Sequence, residues 1–464
     1  MSVQADRATA RLGDFIVGVA PPAAARARAG AALLDTVGVM LAGAREPASG
    51  IVQQVVALEG SGACRVLGTG DRASATGAAL ANGTSAHALD YDDMCFVSLA
   101  HPSAPIVAAG IAGGELAGSS GRGLLDAYVV GFEIEALLGR RMNPRHYHRG
   151  WHCTSTLGTI GAAAAVSRLL GLDPAAAGHA LGIAASQACG LKENFGTMVK
   201  PLHAGLAARN GVLAALLART GMTASELAIE GPQGFLAAMD SQHPTLDSAG
   251  GDTDTGSAAL GARWEILQSG ITVKLYPSCA ATHPALDAIL DLRRKEGFGS
   301  DDVREVAIDV DSTTPTVLIY ERPVTGLEAK FSMPFCAAAA LVFGEVRIDT
   351  FEGDRLRDPR INAVMSRTTI RVDAALDAMG PPLTQARISI SLRDGRVLTL
   401  LANGACGYPD RPASDRELDA KFVACARRTI PDASAARALA MLRRIDDLDD
   451  VRALTEALVL ASTP

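Results

Sequence analysis

The segment "TLGTIGAAAAVSRLLGLDPAAAGHALGIAAS" (156–186) shows how this chain begins and ends its helices. Gly171 is suited to close one helix in a left-handed conformation, and Asp173 is suited to cap the next one, with a proline at the first helical position. The segment "PLHAGLAARNGVLAALLART" predicts another helix, which begins at Pro201 and ends before Gly221. The chain is therefore expected to be built mainly from closely packed helices.

The sequence pattern typical of helices begins at about residue 8 and is replaced near residue 270 by alternating apolar and polar residues. "REVAIDVD" (304–311) and "RTTIRVDAAL" (367–376) alternate as half-buried strands do. "ARISISLRDGRVLTLLA" (386–402) predicts a hairpin that turns at Asp394-Gly395. After Gly407 the helical texture returns.

These two changes of sequence pattern predict a mainly α fold in which one domain is inserted into another. We expect a discontinuous all-helical main domain, residues 1–268 plus 408–464, and an inserted smaller α/β lid domain, residues 269–407.

Composition excludes several classes of protein. The 464 residues are 48% hydrophobic and 20% charged, which is enough to bury a sizeable core, and the net charge of −7 argues against nucleic acid as a partner. Eight scattered cysteines without a C-x-x-C pair indicate reduced thiols and a cytoplasmic location, and Cys153, Cys189 and Cys336 are expected to fill small core spaces. Because no run of about 20 apolar residues is present, we expect no membrane association.

The segment "HALDYDDMCFVSLAHPS" (87–103) concentrates two histidines and three aspartates. A metal site would use Asp90, Asp92 and Asp93 with His148 and His152, which stand four apart. However, the chain has no H-E-x-x-H motif and no cysteine cluster, so we favour acid–base chemistry and expect no metal. Asp92 and Asp93 are interpreted as a solvated cap or a local turn.

Three basic side chains directly precede a proline that starts a helical pattern: His101, Lys200 and His283. These side chains are expected at helix N-termini, and His152 is expected in a similar place. Helix N-termini bind carboxylates, and their field lowers the pKa of a nearby histidine, which keeps the ring neutral and basic. The pattern indicates a site for an acidic small molecule.

Five ordered blocks of sequence resemble the MmgE/PrpD family, which includes 2-methylcitrate dehydratase, cis-aconitate decarboxylase and iminodisuccinate epimerase. The resemblance implies a discontinuous helical domain with an α/β lid, in a homodimer, without a metal or organic cofactor. The blocks are "NGTSAHALDYDD…HPS", "GWHCTSTLGTIGAAAA", "FGTMVKPLHAGLAARNG", "KLYPSCAATHPALDA" and "TGLEAKFSMPFCAAAALVFG".

The resemblance also implies the site residues. Tyr320 matches an active-site tyrosine of the decarboxylase, and His203 is a further candidate for substrate binding. Cys279 departs from the family, because the decarboxylase and the methylcitrate dehydratase have a histidine there. The positions that match the family's active site are Asp90, His101 and His152 for catalysis, and Lys200 and Lys274 for substrate binding.

Proton transfer at the carbon α to a carboxylate is the reaction that the resemblance implies. We expect a metal-free lyase, a 2-methylcitrate dehydratase-like hydro-lyase, that acts on a small di- or tricarboxylate. The alternative is an epimerase resembling iminodisuccinate epimerase, in which the Cys279 thiol, its pKa lowered by Lys274, is one of two proton-transfer groups. A second alternative is a non-catalytic scaffold that has kept the fold.

Overall fold

Helices account for 57% of the computed structural model, which describes residues 8–243, 245–246, 256, 259–379 and 384–460. The prediction of a mainly helical protein is confirmed. The first part of the chain contains the helices α1 Ala8–Gly18, α2 Ala23–Gly43, α3 Pro47–Leu58, α4 Ala75–His87, α5 Ser103–Ala117, α6 Gly121–Met142, α7 Arg145–His148, α8 Cys153–Leu169, α9 Pro174–Ala185, α10 Val199–Arg219, α11 Phe235–Ala238 and α12 Glu265–Gln268, with a small ladder of β1 Cys64–Arg65 and β2 Arg72–Ala73.

The second part of the chain mixes helices with a four-stranded sheet. Its helices are α13 His283–Glu296, α14 Thr314–Val317, α15 Gly326–Ala329, α16 Met333–Phe343, α17 Gly353–Leu356, α18 Pro359–Met365 and α19 Ala374–Asp377, and its strands are β3 Val303–Val310, β4 Thr368–Val372, β5 Ala386–Leu392 and β6 Val397–Ala402. The chain ends with α20 Asp415–Ala426, α21 Asp432–Arg443 and α22 Arg452–Ala457.

The sheet has the strand order β4-β3-β5-β6, with β3 parallel to β4 and antiparallel to β5. Along β5, Ile388 and Ile390 alternate with partly exposed residues, and they share a hydrophobic cluster with α13 and α16. The predicted strands and the hairpin are confirmed: β5 and β6 pair on either side of Gly395, which has φ +95°. A non-glycine side chain rarely adopts that conformation, so Gly395 is well suited to the turn.

Hydrophobic side chains form two large clusters. The first includes residues of α1 to α10 together with Phe422 and Leu442 from the C-terminal helices, and the second is made of side chains between residues 285 and 402. The division into a helical main domain and an inserted lid, with the boundaries predicted above, stays a prediction.

Glycine allows α4 and α10 to pack closely, and this contact sets the position of the site. A Cβ atom added at Gly83 would lie 2.9 Å from the Cα atom of Gly205, and one added at Gly205 would overlap α4 itself. The close approach brings the end of α4, at His87, beside the first turn of α10, at Lys200.

Helix boundaries confirm one prediction and correct another. The side chain of Asp173 accepts a hydrogen bond from the Ala176 N–H at 2.8 Å, as an N-cap does. The helix predicted to begin at Pro201 begins at Val199, so Lys200 lies inside its first turn. A proline is tolerated there because the first N–H groups of a helix have no carbonyl partner within the helix.

Among the described residues, no single helix combines the length and apolarity of a membrane span. The pair α2 and α3 reaches that composition only jointly, and it is bent by 86°. All eight cysteines are free thiols. Cys153 and Cys336 are buried as predicted, but Cys189 is exposed, so the expectation that it fills a core space is wrong.

Candidate active site

Residues from five separate segments meet beside a cavity of about 220 Å³. The segments are the end of α4, the loop that follows it, the start of α8, the first turn of α10 and the segment before α13. Of the catalytic and substrate-binding residues predicted from sequence, those on the cavity wall are Asp90, His101, His152, Lys200 and Cys279, and His148, considered above as a metal ligand, also lines it.

Asp90 is held between two buried lysines. Lys200 Nζ donates to its Oδ1 at 2.5 Å, and Lys274 Nζ donates to its Oδ2 at 3.0 Å and to its carbonyl oxygen at 2.9 Å. Burial raises the pKa of the Asp90 carboxyl, but the charges of Lys200 and Lys274 outweigh burial and hold the pKa well below its usual value. Asp90 is therefore an anion that fixes two ammonium groups.

His87 joins Lys200 to a second aspartate. Its Nδ1 lies 2.7 Å from Asp92 Oδ2, and its Nε2 lies 2.8 Å from Lys200 Nζ. Because ammonium donates only, Nε2 accepts that bond and the proton of the neutral ring sits on Nδ1, facing Asp92. Burial lowers the pKa of His87 although Asp92 opposes it. The Asp92–His87–Lys200 chain orients the ammonium group towards Asp90.

His101 lines the cavity, and one of its ring nitrogens has no hydrogen bond to the described residues. Its Nδ1 lies 2.8 Å from the Asp93 carbonyl oxygen, which can only accept, so Nδ1 carries the proton and Nε2 has a free lone pair. Among the described residues, the side-chain bonds of His101 are made by Nδ1 alone. Burial, and then the charges of Lys274, His87 and Lys200, hold the pKa of His101 well below 6.5. This ring is therefore neutral near pH 7, and its Nε2 lone pair is free to accept a proton.

His152 and His203 form a pair, with their Nδ1 atoms 3.0 Å apart. His152 is the residue before α8, and its ring lies edge-on to Phe195. Burial holds the pKa of His152 well below its usual value and lowers that of His203 to about 4. His203 does not line the cavity. It contacts His152 from behind.

Lys274 and Tyr320 also lie off the cavity wall. Lys274 is fully buried behind Asp90, so it acts on the cavity through that carboxylate. The Tyr320 hydroxyl donates to the Phe195 carbonyl at 3.0 Å. In this conformation Tyr320 supports the wall.

Cys279 lies on the wall, but its thiol has the opposite pKa shift from the one expected. Burial and the charge of Asp90 raise the pKa of the Cys279 thiol, and together they outweigh Lys274, which lowers it. The thiol is therefore a weaker acid than a free cysteine. The expected lowering is wrong, because a carboxylate and burial act on the same atom.

Asp92 and Asp93 are not solvated caps, because both are fully buried. Asp93 accepts hydrogen bonds from the Ser103 N–H and hydroxyl, and Ser103 also contacts the Tyr128 hydroxyl at 2.5 Å. Burial raises the pKa of Asp93 to about 8. The interpretation as a solvated cap or surface turn is wrong, since three aspartates within four residues give no indication of which neighbours will bury them.

His283 does not join the other helix-terminal bases. It is fully buried, its Nε2 lies 3.2 Å from the Ser278 carbonyl, and it is not among the residues that line the cavity.

Two lysines that the sequence analysis did not identify hold the Asp90 loop by its backbone. Lys330 Nζ donates to the Leu89 carbonyl and Lys421 Nζ to the Tyr91 carbonyl, each at 2.8 Å. Both lysines are far in sequence from the loop that they hold, so no local pattern indicated these contacts.

His87, Asp90, Asp92 and His101 place possible metal ligands within 4.8 Å of one another. The same oxygen atoms of Asp90 already accept from two ammonium groups. A divalent cation bound there would face two positive charges at short range, which is unfavourable at a buried site. The arrangement is better suited to hydrogen bonding and proton transfer.

Two sequence-family models match the chain. The MmgE/PrpD N-terminal domain matches residues 10–246, and the MmgE/PrpD C-terminal domain matches residues 276–447. The resemblance seen in five blocks of sequence is confirmed.

Relatives of similar length share about a quarter to a third of their residues with this chain. Cis-aconitate decarboxylase of Aspergillus terreus is 27% identical over 444 residues, 92% of this chain and 90% of that protein. The Homo sapiens cis-aconitate decarboxylase is 27% identical over 453 residues, which are 93% of this chain and 90% of that protein. The cis-aconitate decarboxylase-like protein oryM of Aspergillus oryzae is 30% identical over 435 residues, 89% of each.

Proposed function

Because the chain belongs to the MmgE/PrpD family, we propose that it is a lyase and that the site around His101 is its active site. The enzyme moves a proton at the carbon α to a carboxylate of a small carboxylic acid. The observation that carries this proposal is His101, a neutral ring on the cavity wall whose Nδ1 is held by the Asp93 carbonyl and whose Nε2 lone pair is free.

A carbon next to a carboxylate is a weak acid, so the negative charge that develops on the carboxylate oxygens needs stabilisation. The Lys200 ammonium has three N–H groups, and two of them bind His87 and Asp90. The third serves the substrate carboxylate. The N-terminal N–H groups of α8 begin directly after His152 and add a positive dipole on the same wall.

For the leaving group, we propose the hydro-lyase reaction. His101 Nε2 takes the α proton, the electron pair forms the carbon–carbon double bond, and hydroxide leaves as water with the proton that His101 has taken. Decarboxylation is the second candidate, because the similar proteins are named cis-aconitate decarboxylases. Epimerisation through Cys279 has less support, because the pKa of its thiol is raised.

The far wall of the cavity includes Thr314, Val317, Phe331 and Thr384. All four belong to the segment 269–407, which we propose to act as a lid that closes over the substrate and excludes water. The homodimer implied by the family resemblance stays part of this proposal.

The test is a substrate screen in deuterated water, with α-proton exchange followed by NMR and carbon dioxide release measured in the same samples. Citrate-like, aconitate-like and 3-hydroxy acids are the first set. His101→Ala should lower α-proton exchange by about 10²–10⁴-fold. His243→Ala, which changes an exposed histidine, is the matched control and should leave exchange unchanged.

Full α-proton exchange in His101→Ala would contradict the proposed role of this base. Exchange with formation of an alkene and without carbon dioxide release would favour dehydration, exchange with neither product would favour epimerisation, and carbon dioxide release in step with exchange would favour decarboxylation.

A further inference from the structure

The cavity offers little positive charge to a polyanionic substrate. Of the described residues on its wall, Lys200 is the one lysine, and no arginine is among them. Lys274 is buried behind Asp90, and Lys330 binds a backbone carbonyl behind the loop. The internal segments outside the described residues contain no lysine or arginine in their sequence.

The positive charges of Lys200 and Lys274 are already balanced by two nearby aspartates before a substrate binds. The ammonium groups of Lys200 and Lys274 face the Asp90 carboxylate, and Asp92 lies behind His87. A substrate with a single carboxylate can bind through the remaining N–H of Lys200 and the N–H groups of a helix N-terminus. A trianion would place two further carboxylates in the cavity without a cation among the described lining residues to pair with them, which is unfavourable.

Apart from its histidines, Tyr147 and the hydroxyl groups of Thr313, Thr314 and Thr384, the rest of the wall is largely apolar, and much of that apolar part comes from one loop. Met94, Phe96 and Leu99 line the cavity together with Phe195 and Phe331. Residues 95 to 100 form a closed loop in which the Cys95 N–H donates to the Ala100 carbonyl at 2.9 Å.

Leu99 has φ +49°, a conformation that branched side chains rarely adopt. Strained backbone of this kind is concentrated at functional sites, where the surrounding structure maintains it. Here the strain lies at a residue that lines the cavity.

We propose that the substrate has one carboxylate, next to the reacting carbon, and an uncharged apolar remainder that packs against Met94, Phe96 and Leu99. This inference rests on the proposed function and narrows it, since the family resemblance implies two or three carboxylates. Met94, Phe96 and Leu99 are then residues that determine specificity.

The test is binding, measured by isothermal titration calorimetry with 3-hydroxyhexanoate, malate and citrate. Each acid carries a hydroxyl group on the carbon β to a carboxylate, and they have one, two and three carboxylates. The parent chain should bind 3-hydroxyhexanoate at least about tenfold more tightly than malate or citrate. Tighter binding of malate or citrate, or no binding of 3-hydroxyhexanoate, would overturn the inference.

Met94→Lys should reverse the order of the acids by adding a cation to the apolar wall. Malate should bind about tenfold more tightly than it binds the parent, and 3-hydroxyhexanoate more weakly. Met94→Leu is the matched control and should keep the parent order. If Met94→Lys fails to fold, the parent measurements and Met94→Leu still decide the outcome.

Exchange of the α proton in the same samples tests the proposed function separately. Binding of 3-hydroxyhexanoate in the expected order without exchange would leave the substrate class standing and reject the proton transfer. Exchange with citrate but not with 3-hydroxyhexanoate would reject the substrate class and leave the proton transfer standing.

Discussion

Asp90 adopts a left-handed backbone conformation, with φ +50°, at the centre of the charged cluster. This conformation is tolerated by aspartate better than by most residues, but it still has a cost. It places the carboxylate between Lys200 and Lys274, while the carbonyl oxygen of the same residue accepts a second bond from Lys274. The backbone of Asp90 therefore contributes to the site along with its charge.

Cys279→Ser should leave α-proton exchange within several-fold of the parent. Burial and Asp90 raise the pKa of the Cys279 thiol, so the thiol stays protonated and is a poor base near pH 7. The measurement is NMR exchange in deuterated water, with His101→Ala as the reference for a lost base. A fall of about 10²-fold in Cys279→Ser would restore the epimerase role for this residue.

His283→Phe should make the free energy of unfolding less sensitive to acid. Burial lowers the pKa of His283 from 6.5 to about 3, so the unfolded chain binds this proton before the folded chain does. The stability that the neutral ring contributes is present above pH 6.5 and is lost as the pH falls towards 3.

Urea unfolding of the parent and of His283→Phe at several pH values checks this prediction. The parent should lose about 2 kcal/mol relative to the variant between pH 6.5 and pH 5. His243→Phe, at an exposed histidine, should show no such pH-dependent difference. A constant difference between the parent and His283→Phe would mean that the ring does not titrate in this way.

At the scale of elements, the site depends on how helices end and on how closely they pack. His87 is the last residue of α4 and Lys200 is in the first turn of α10, and the Gly83–Gly205 contact brings these two ends together. The first N–H groups of α8 and α5 face the same region, since these helices begin just after His152 and Pro102. Four helix termini thus surround one cavity.

Asp173→Ala should lower the free energy of unfolding by about 1 kcal/mol, because it removes the N-cap of α9. Asp173→Asn keeps an acceptor oxygen and should lie within a few tenths of a kcal/mol of the parent. Urea unfolding measures both variants at one pH. Equal losses in the two would show that charge, and not the cap hydrogen bond, is what matters at this position.

Across the whole molecule, the C-terminal helices complete the core around the site. Lys421 of α20 makes an ion pair with Asp35 of α2 at 2.7 Å, and its ammonium also donates to the Lys274 carbonyl at 2.8 Å. Phe422 packs against Gly38 of α2. One end of the chain therefore supports a lysine that belongs to the site.

Lys421→Met should lower the free energy of unfolding by about 3 kcal/mol, because it leaves the buried Asp35 carboxylate without its cation. Replacing both partners, in Asp35→Asn with Lys421→Met, should recover part of that loss. Lys295→Met, at an exposed ion pair, is the control and should cost no more than about 0.5 kcal/mol. A double variant less stable than Lys421→Met alone would contradict this account.

Local sequence patterns predicted much of the secondary structure. The Asp173 cap, the turn at Gly395 and the strands from 303 to 310 and from 386 to 402 follow from side-chain volume, conformational freedom and alternation. Those forces act between residues close in sequence. The five blocks that resemble the family were also readable in this way, and they included His101, His152 and Lys200.

Only the tertiary structure decided which titratable groups meet and what charge each one carries. His87 was in the first quoted acidic segment but showed no sign of its bond to Lys200, 113 positions away. The sequence suggested that Asp92 and Asp93 lie at the surface, but both are buried in the structure. It also suggested a lowered pKa for the Cys279 thiol, whereas burial and the neighbouring Asp90 raise that pKa. Burial and Coulomb interactions depend on distances in space, and these distances are set by the packing of distant segments.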